Sequence, residues 1–155
     1  MNSLNIRILI VDDHDVMREN IKSLISKQPN IEVIGEAKDG ETAVVLARKL
    51  SPDVVLMDIN MPKLSGIEAA SDILRNNVAA RIIILSAHSD KYFVMAGFKV
   101  GVSGYVLKTS ILEDLIPALR SVMANERYLS PHITDIEIRK YIEQLPKAGN
   151  SVAES

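Results

Sequence analysis

The sequence has no cysteine, few aromatic residues, no excess of positive charge and no long apolar run. Without cysteine there is no disulfide and no thiolate metal site, which suits a reducing compartment. With aromatics at 4%, the core must be mostly aliphatic. Eighteen basic residues stand against 20 acidic ones, a net charge of −2, and the pI is near 5.9. That balance supplies no basic field of the kind that holds nucleic acid, so this chain by itself is not expected to touch DNA. The first residues, Met1-Asn2-Ser3-Leu4-Asn5, lack the charged and then apolar pattern of a secretory leader. No apolar stretch approaches the roughly 20 residues that a bilayer requires. A cytoplasmic protein without membrane contact is expected.

What is present is 155 residues, 47% of them hydrophobic, enough for one domain with a real core and a short appendage. The organising stretch is Val54-Val55-Leu56-Met57-Asp58-Ile59-Asn60-Met61-Pro62. Four apolar residues meet a single acid and then a turn, the pattern of a strand buried on both faces in a parallel sheet. Similar runs occur at Ile6 with Ile8 to Val11, Ile31 to Ala37, Arg81 to Leu85 and Gly104 to Leu107. Between them the apolar spacing is helical: Met17, Ile21, Leu24 and Ile25; Ala43, Leu46, Ala47 and Leu50; Ile67, Ala70 and Leu74. A helix over about Asp90 to Val100 contains Gly97, which costs about 1 kcal/mol against alanine, so this helix is expected to be mobile. Ser110-Ile111-Leu112-Glu113 reads as a capping box opening a last helix. Its expected buried stripe is Leu112, Leu115, Ile116, Leu119 and Met123, with Pro117 predicting a kink or a later start.

Five successive β-α units predict a doubly wound, five-stranded parallel sheet with helices on both faces. Ligands bind such sheets at the carboxyl edge of the strands. Strand one delivers Asp12 and Asp13 there, strand three Asp58, strand four Ser86 and strand five Lys108. Taken singly, each has a plain reading: a capping acid, a turn acid, a solvated serine or lysine. Together they make a cluster that needs a cation, because carboxylates within ~4 Å repel by about 4 kcal/mol per pair at an effective dielectric of 20. Oxygen donors in small number suit Mg²⁺, completed by a phosphate. A carboxylate could then attack phosphorus while lysine and serine hold the remaining oxygens, so the set suits formation of an aspartyl phosphate.

With these residues in place, the chain from Ile6 to Leu129 resembles the receiver domains of two-component response regulators. The resemblance rests on Val11-Asp12-Asp13, on Asp58 to Gly66, on Ile84-Leu85-Ser86-Ala87 and on Gly104-Tyr105-Val106-Leu107-Lys108. It implies a flavodoxin-like strand order 2-1-3-4-5. It also implies Asp58 as phosphate acceptor, Asp13 as direct Mg²⁺ ligand, Asp12 acting through water, and the backbone carbonyl of Asn60 as a further ligand. Ser86 and Lys108 would hold the phosphoryl group, and Tyr105 would be an aromatic switch. Asp13-His14, Gly101-Val102-Ser103-Gly104-Tyr105 and Glu126-Arg127-Tyr128-Leu129-Ser130-Pro131 resemble the NarL subgroup, which has a LuxR-type helix-turn-helix output. Many receivers carry proline after the lysine, where Thr109 stands here.

The resemblance implies a sensor histidine kinase as phosphoryl donor, a homodimer on phosphorylation, and DNA contact only through an output domain that this chain does not contain. Residues 1–129 are expected to form the receiver and 130–145 a helical linker striped by Ile133, Ile136, Tyr141, Ile142 and Leu145. Residues 146–155, small and polar, are expected to be a disordered tail. The chain would then be either a single-domain regulator or, as the likeness of its linker to that of longer relatives favours, one part of a longer transcription regulator. Two other readings remain at this level. One is a phosphorylation-independent interaction module; the other is a Mg²⁺-dependent phosphohydrolase of the haloacid dehalogenase type. That enzyme class places Asp-x-Asp after its first strand and adds a cap, for which no insertion here is long enough. His14 and His88 read as polar residues flanking the site, and His88 or Asn60 as candidates for tuning the lifetime of the phosphate.

Overall fold

The computed structural model describes residues 5–61, 63–77 and 79–146. Pro62 and residues 147–155 of the expected tail lie outside the described residues. The strands are β1 Ile6–Val11, β2 Ile31–Ala37, β3 Val54–Asp58, β4 Arg81–Ser86, β5 Gly104–Leu107 and β6 Tyr128–Leu129. All pair in parallel, in the order β2-β1-β3-β4-β5-β6. Alternation along the strands builds two apolar layers. Leu9, Val55, Met57, Ile82, Ile84 and Tyr105 face one side; Ile8, Ile10, Leu56, Ile83, Leu85 and Val106 face the other. The first layer is covered by α2 Gly40–Leu50, α3 Gly66–Asn76 and α4 Lys91–Val100, the second by α1 Asp15–Ser26 and α5 Ile111–Met123.

The doubly wound parallel fold is present, with one strand more than expected. The two-residue β6 lies beside β5, where the Tyr128 amide donates to the Ser103 carbonyl (3.0 Å) and the Ser130 amide to the Tyr105 carbonyl (2.9 Å). It satisfies backbone groups on an edge that would otherwise stand open. Two residues carry no periodicity, so no sequence pattern announces such a strand.

The start of the last helix also differs. A capping box does form at Ser65, whose hydroxyl accepts from the Glu68 amide while the Glu68 carboxylate accepts from the Ser65 amide. The same spacing at Ser110 makes none, because that hydroxyl is taken by Asp114. A 3-10 turn over Lys108–Ser110 leads directly into α5. Turned by this register, α5 buries Asp114, Leu115, Ala118, Leu119 and Val122, and leaves Leu112 76% exposed. The helix runs through Pro117, which lies on its exposed face, as does Glu113, whose carbonyl the proline leaves unpaired within the helix.

Residues 130–145 hold a further helix, α6 Ile136–Gln144, which packs on α4. Ile138, not Ile136, is the fully buried member of its inner face; Ile133 is buried ahead of the helix, while Ile136 is 67% exposed. Glu137 pairs with Lys91 of α4 at 2.5 Å. Among the described residues no helix is long and apolar enough to cross a membrane.

α4 begins at the Asp90 cap and ends at Gly101, which holds φ 109°. A Cβ placed on Gly97 would meet nothing nearer than Val102 Cγ2 at 3.5 Å, an ordinary contact. Gly97→Ala is therefore expected to stabilise the fold by up to about 1 kcal/mol. Urea unfolding checks it, and a loss of stability would show that the helix needs the flexibility of glycine.

Candidate functional site

Four strand ends bring their polar residues to one edge of the sheet. Asp12 follows β1, Asp58 closes β3, Ser86 closes β4 and Lys108 follows β5. The carboxylates of Asp12, Asp13 and Asp58 and the imidazole of His14 lie within 4.8 Å of one another. The Lys108 ammonium is 3.1 Å from both Asp12 Oδ2 and Asp58 Oδ1. Asp12 is fully buried, and its Oδ1 accepts from the His14 amide (2.8 Å) and lies 2.9 Å from His14 Nδ1. Asp13 opens toward solvent, its Oδ1 3.2 Å from His14 Nδ1.

Asp58 is the strained member of the set. Only 3% of it is exposed, and burial together with the nearby Asp12 raises its pKa above the ordinary value even though Lys108 pulls the other way. For Lys108, burial acts against the charge, yet Asp58 and Asp12 outweigh it and its pKa is raised. The hydrogen bond to Asp12 and then the charge of Asp13 raise His14. Asp58 Oδ2 has no hydrogen-bond partner among the described residues. A buried carboxylate oxygen without a donor is costly. Three carboxylates against one ammonium also leave two negative charges in one place. The donor set is oxygen-rich and thiol-free and fits a hard dication, for which Asp12, Asp13 and Asp58 offer carboxylate oxygens.

The second half of the site lies between the loops after β3 and β4. The Asn60 amide is 3.5 Å from Asp58 Oδ1, and its side-chain Nδ2 is 2.9 Å from His88 Nε2. The His88 ring in turn stacks on Phe93 with centroids 4.7 Å apart. His88 is also held by its backbone: its amide donates to Ser86 Oγ (2.9 Å), and its carbonyl accepts from the Tyr105 hydroxyl (2.8 Å). Tyr105 itself is fully buried, and that burial raises its pKa.

Sequence reasoning named Asp12, Asp13, Asp58, Ser86 and Lys108, and the fold delivers all of them to this edge. It read His14 as a flanking residue and His88 as a flanking residue or a tuner of the phosphate's lifetime, and both make direct contacts here. It missed Arg18, the one buried cation of α1. Arg18 holds the Asp12 carbonyl at 2.7 Å and Glu36 at 3.0 Å, and it also pairs with Asp15. A basic residue beside Met17 on a helix's apolar face is the only sign the sequence offers.

The sequence matches the response regulator receiver domain family over residues 8–120. It is 40% identical over 141 residues to the transcriptional regulatory protein DegU of Brevibacillus brevis, covering 91% of this chain and 60% of that protein. It is 39% identical over 129 residues to the nitrate/nitrite response regulator NarL of Escherichia coli, covering 83% and 60% respectively. The chain thus spans about 60% of the length of these curated relatives. Among solved structures, a LuxR-family two-component response regulator from Aurantimonas superposes with a TM-score of 0.81 at 37% identity, covering 90% of this chain and 96% of that one.

Proposed function

The chain belongs to the response regulator receiver domain family, and on that premise we propose that it is a phosphorylation switch, with Asp58 as the acceptor and Mg²⁺ as its cation. The observation that carries the reading is Asp58 itself: a buried carboxylate with one oxygen on Lys108 and the other without a partner among the described residues. In the proposed reaction a carboxylate oxygen of Asp58 forms a bond to phosphorus. The P–N bond of a phosphohistidine on a sensor kinase, or the equivalent bond of a small phosphodonor, breaks as it forms. The leaving group keeps the electron pair and takes up a proton. Asp12, Asp13 and Asp58, with the Asn60 backbone carbonyl, would hold the cation, which draws charge from the phosphoryl oxygens. Lys108 supplies a second positive charge, and Ser86 a hydroxyl for a remaining oxygen. The domain would catalyse its own phosphorylation in this way; in dephosphorylation water would attack phosphorus, the bond to the Asp58 oxygen would break, and the carboxylate would leave as inorganic phosphate is released.

The same contacts suggest how the signal leaves the site. The Ser86 hydroxyl accepts from the His88 amide, so turning it toward a phosphoryl group changes its hold on the loop that Tyr105 also grips through the His88 carbonyl. The balance between two positions of that loop and of α4 would shift with phosphorylation. In the full regulator this would alter pairing with a second copy and the action of a DNA-binding domain on transcription in the cytoplasm. The test is intact mass after incubation with a small phosphodonor, with and without Mg²⁺. One added phosphoryl group that depends on Mg²⁺ supports the switch. No added group under conditions where Mg²⁺ binds would transfer the reading to an interaction module.

The Asn60–His88 bridge joins the two loops flanking Asp58 and Ser86, where water would approach the acyl phosphate. Removing either side chain, as Asn60→Ala or His88→Ala, is expected to hasten dephosphorylation by up to roughly tenfold, which is about 1.4 kcal/mol of barrier. The decay of the phosphorylated species by mass checks this, and an unchanged rate in both variants would count against a shielding role.

A further inference from the structure

A third buried carboxylate, after Asp12 and Asp58, lies outside the acidic cluster, and the proposed chemistry makes no use of it. Asp114, in the first turn of α5, is 5% exposed. Its Oδ2 accepts from the hydroxyls of Ser110 (2.8 Å) and Ser130 (2.5 Å), and its Oδ1 from the hydroxyl of Tyr128 (3.0 Å). Ser110 and Ser130 are themselves buried, with hydroxyl oxygens 3.2 Å apart. Burial alone would raise the Asp114 pKa. The hydroxyls of Ser130, Ser110 and Tyr128 overcome it and hold the carboxyl below its ordinary range, while burial and Asp114 push the Tyr128 phenol up to about 12. The carboxylate is thus kept ionised inside the protein with no cation hydrogen-bonded to it among the described residues.

Its partners lie on two sides of the molecule's signal path. Ser110 closes the 3-10 turn that begins at Lys108, the residue bound to Asp12 and Asp58. Tyr128 belongs to β6, and Ser130 follows it directly. The Ser130 carbonyl accepts from the Ile133 amide (2.9 Å), which starts the path into α6. The carboxylate is therefore the point where the turn carrying Lys108 and the segment leading to α6 are fastened to each other.

We propose that Asp114 is a positioning residue that couples Lys108 to the C-terminal segment. Through Ser110 it fixes the turn that carries Lys108, and through Ser130 and Tyr128 it fixes β6. A change in what Lys108 binds at Asp58 thereby alters how firmly α6 docks on α4. The inference rests on the reading of Asp58 as a phosphoryl acceptor. The coupling is reciprocal: if occupancy at Asp58 loosens α6, loosening α6 favours occupancy by the same factor, and if occupancy tightens α6, loosening it opposes occupancy by that factor.

The test is amide hydrogen exchange over α6 in the whole chain, with and without Mg²⁺ and beryllofluoride, an acyl-phosphate mimic. Occupancy is read separately from the bound fluorine resonance. The variants are Tyr128→Phe with Ser130→Ala, which frees Asp114 from β6, and Ser130→Ala alone, which removes one hydroxyl and keeps the test open if the pair fails to fold. Ile73→Val, in the other helical layer, controls for lost stability. In the natural chain occupancy is expected to change α6 exchange by about fivefold, the lower end of allosteric couplings. The control should keep that response and the hydroxyl variants should lose it while still binding the mimic. A bound mimic with an undiminished α6 response in the hydroxyl variants would overturn the coupling alone. No bound fluorine in the natural chain would overturn the phosphoryl reading and the coupling together.

Discussion

Asp58→Asn is expected to take up no phosphoryl group from a small phosphodonor and, without Mg²⁺, to be more stable than the natural chain. The first half follows from chemistry, because a carboxamide is no nucleophile toward phosphorus under these conditions and no other carboxylate occupies the end of β3. The second follows from the environment. Ionised Asp58 is buried beside Asp12 with one oxygen unpartnered among the described residues, and its pKa is raised despite Lys108. A raised folded-state pKa means that the carboxyl favours folding while protonated. That contribution is present below the ordinary aspartate value of 3.8 and is lost as pH rises through the higher folded value. In chelator at neutral pH the neutral amide is therefore expected to be the more stable, by on the order of 1 kcal/mol. The gap should narrow as pH falls toward 4. Added Mg²⁺ reverses the order: a ligand at 100 times its Kd stabilises by about 2.7 kcal/mol, and the variant, missing a ligand oxygen with charge, gains less. Urea unfolding in chelator and in Mg²⁺, with intact mass in parallel, measures all of it. An Asn variant less stable than the natural chain in chelator would mean that Lys108 dominates Asp58, against the direction argued here.

The acidic cluster was readable because each of its members sits at the end of an apolar run, and the order of β-α units sends every such end to one edge. Contacts made between loops left no such mark. Nothing in the spacing of Asn60 and His88 announces that their side chains meet, and Arg18 is visible only as a charge on the apolar face of α1. The serine-x-x-glutamate pattern shows the limit most directly. At Ser65 it forms the capping box that the pattern implies, whereas at Ser110 the hydroxyl turns to Asp114, a competitor four residues away. That competition rotates α5 enough to bury Asp114 and expose Leu112. Likewise the stripe in α6 shifts from Ile136 to Ile138 because α4 selects the face. The periodicity of a nine-residue helix is too short to fix its phase.

Gly66→Ala is expected to cost about 3 kcal/mol or more and to reduce phosphoryl uptake even where the protein remains folded. Gly66 has no unusual backbone angle; what it lacks room for is a side chain. A Cβ there would lie 2.2 Å from the Asp58 carbonyl oxygen and 2.7 Å from Ile59 Cα, and both obstacles are backbone. No rotamer change relieves them. The amino terminus of α3 must then withdraw from the carboxyl end of β3, against the hydrogen bond from the Gly66 amide to the Ile59 carbonyl (3.0 Å) and the capping box at Ser65. Overpacking of side chains commonly costs 1–3 kcal/mol, and a backbone collision belongs at or above the top of that range. The displaced backbone is that of Asp58 and the residues leading to Asn60, so the acceptor shifts relative to Lys108. Misplacement by about 1 Å is worth up to roughly 100-fold in rate. The contrast with Gly97→Ala isolates the cause, since both put a methyl group on a helix of the same layer and only one meets backbone. Urea unfolding and the rate of phosphoryl uptake at low temperature separate the two losses. A Gly66→Ala chain within about 0.5 kcal/mol of the natural one would show that α3 and β3 part freely, and that the acceptor is not held by the close approach of their backbones.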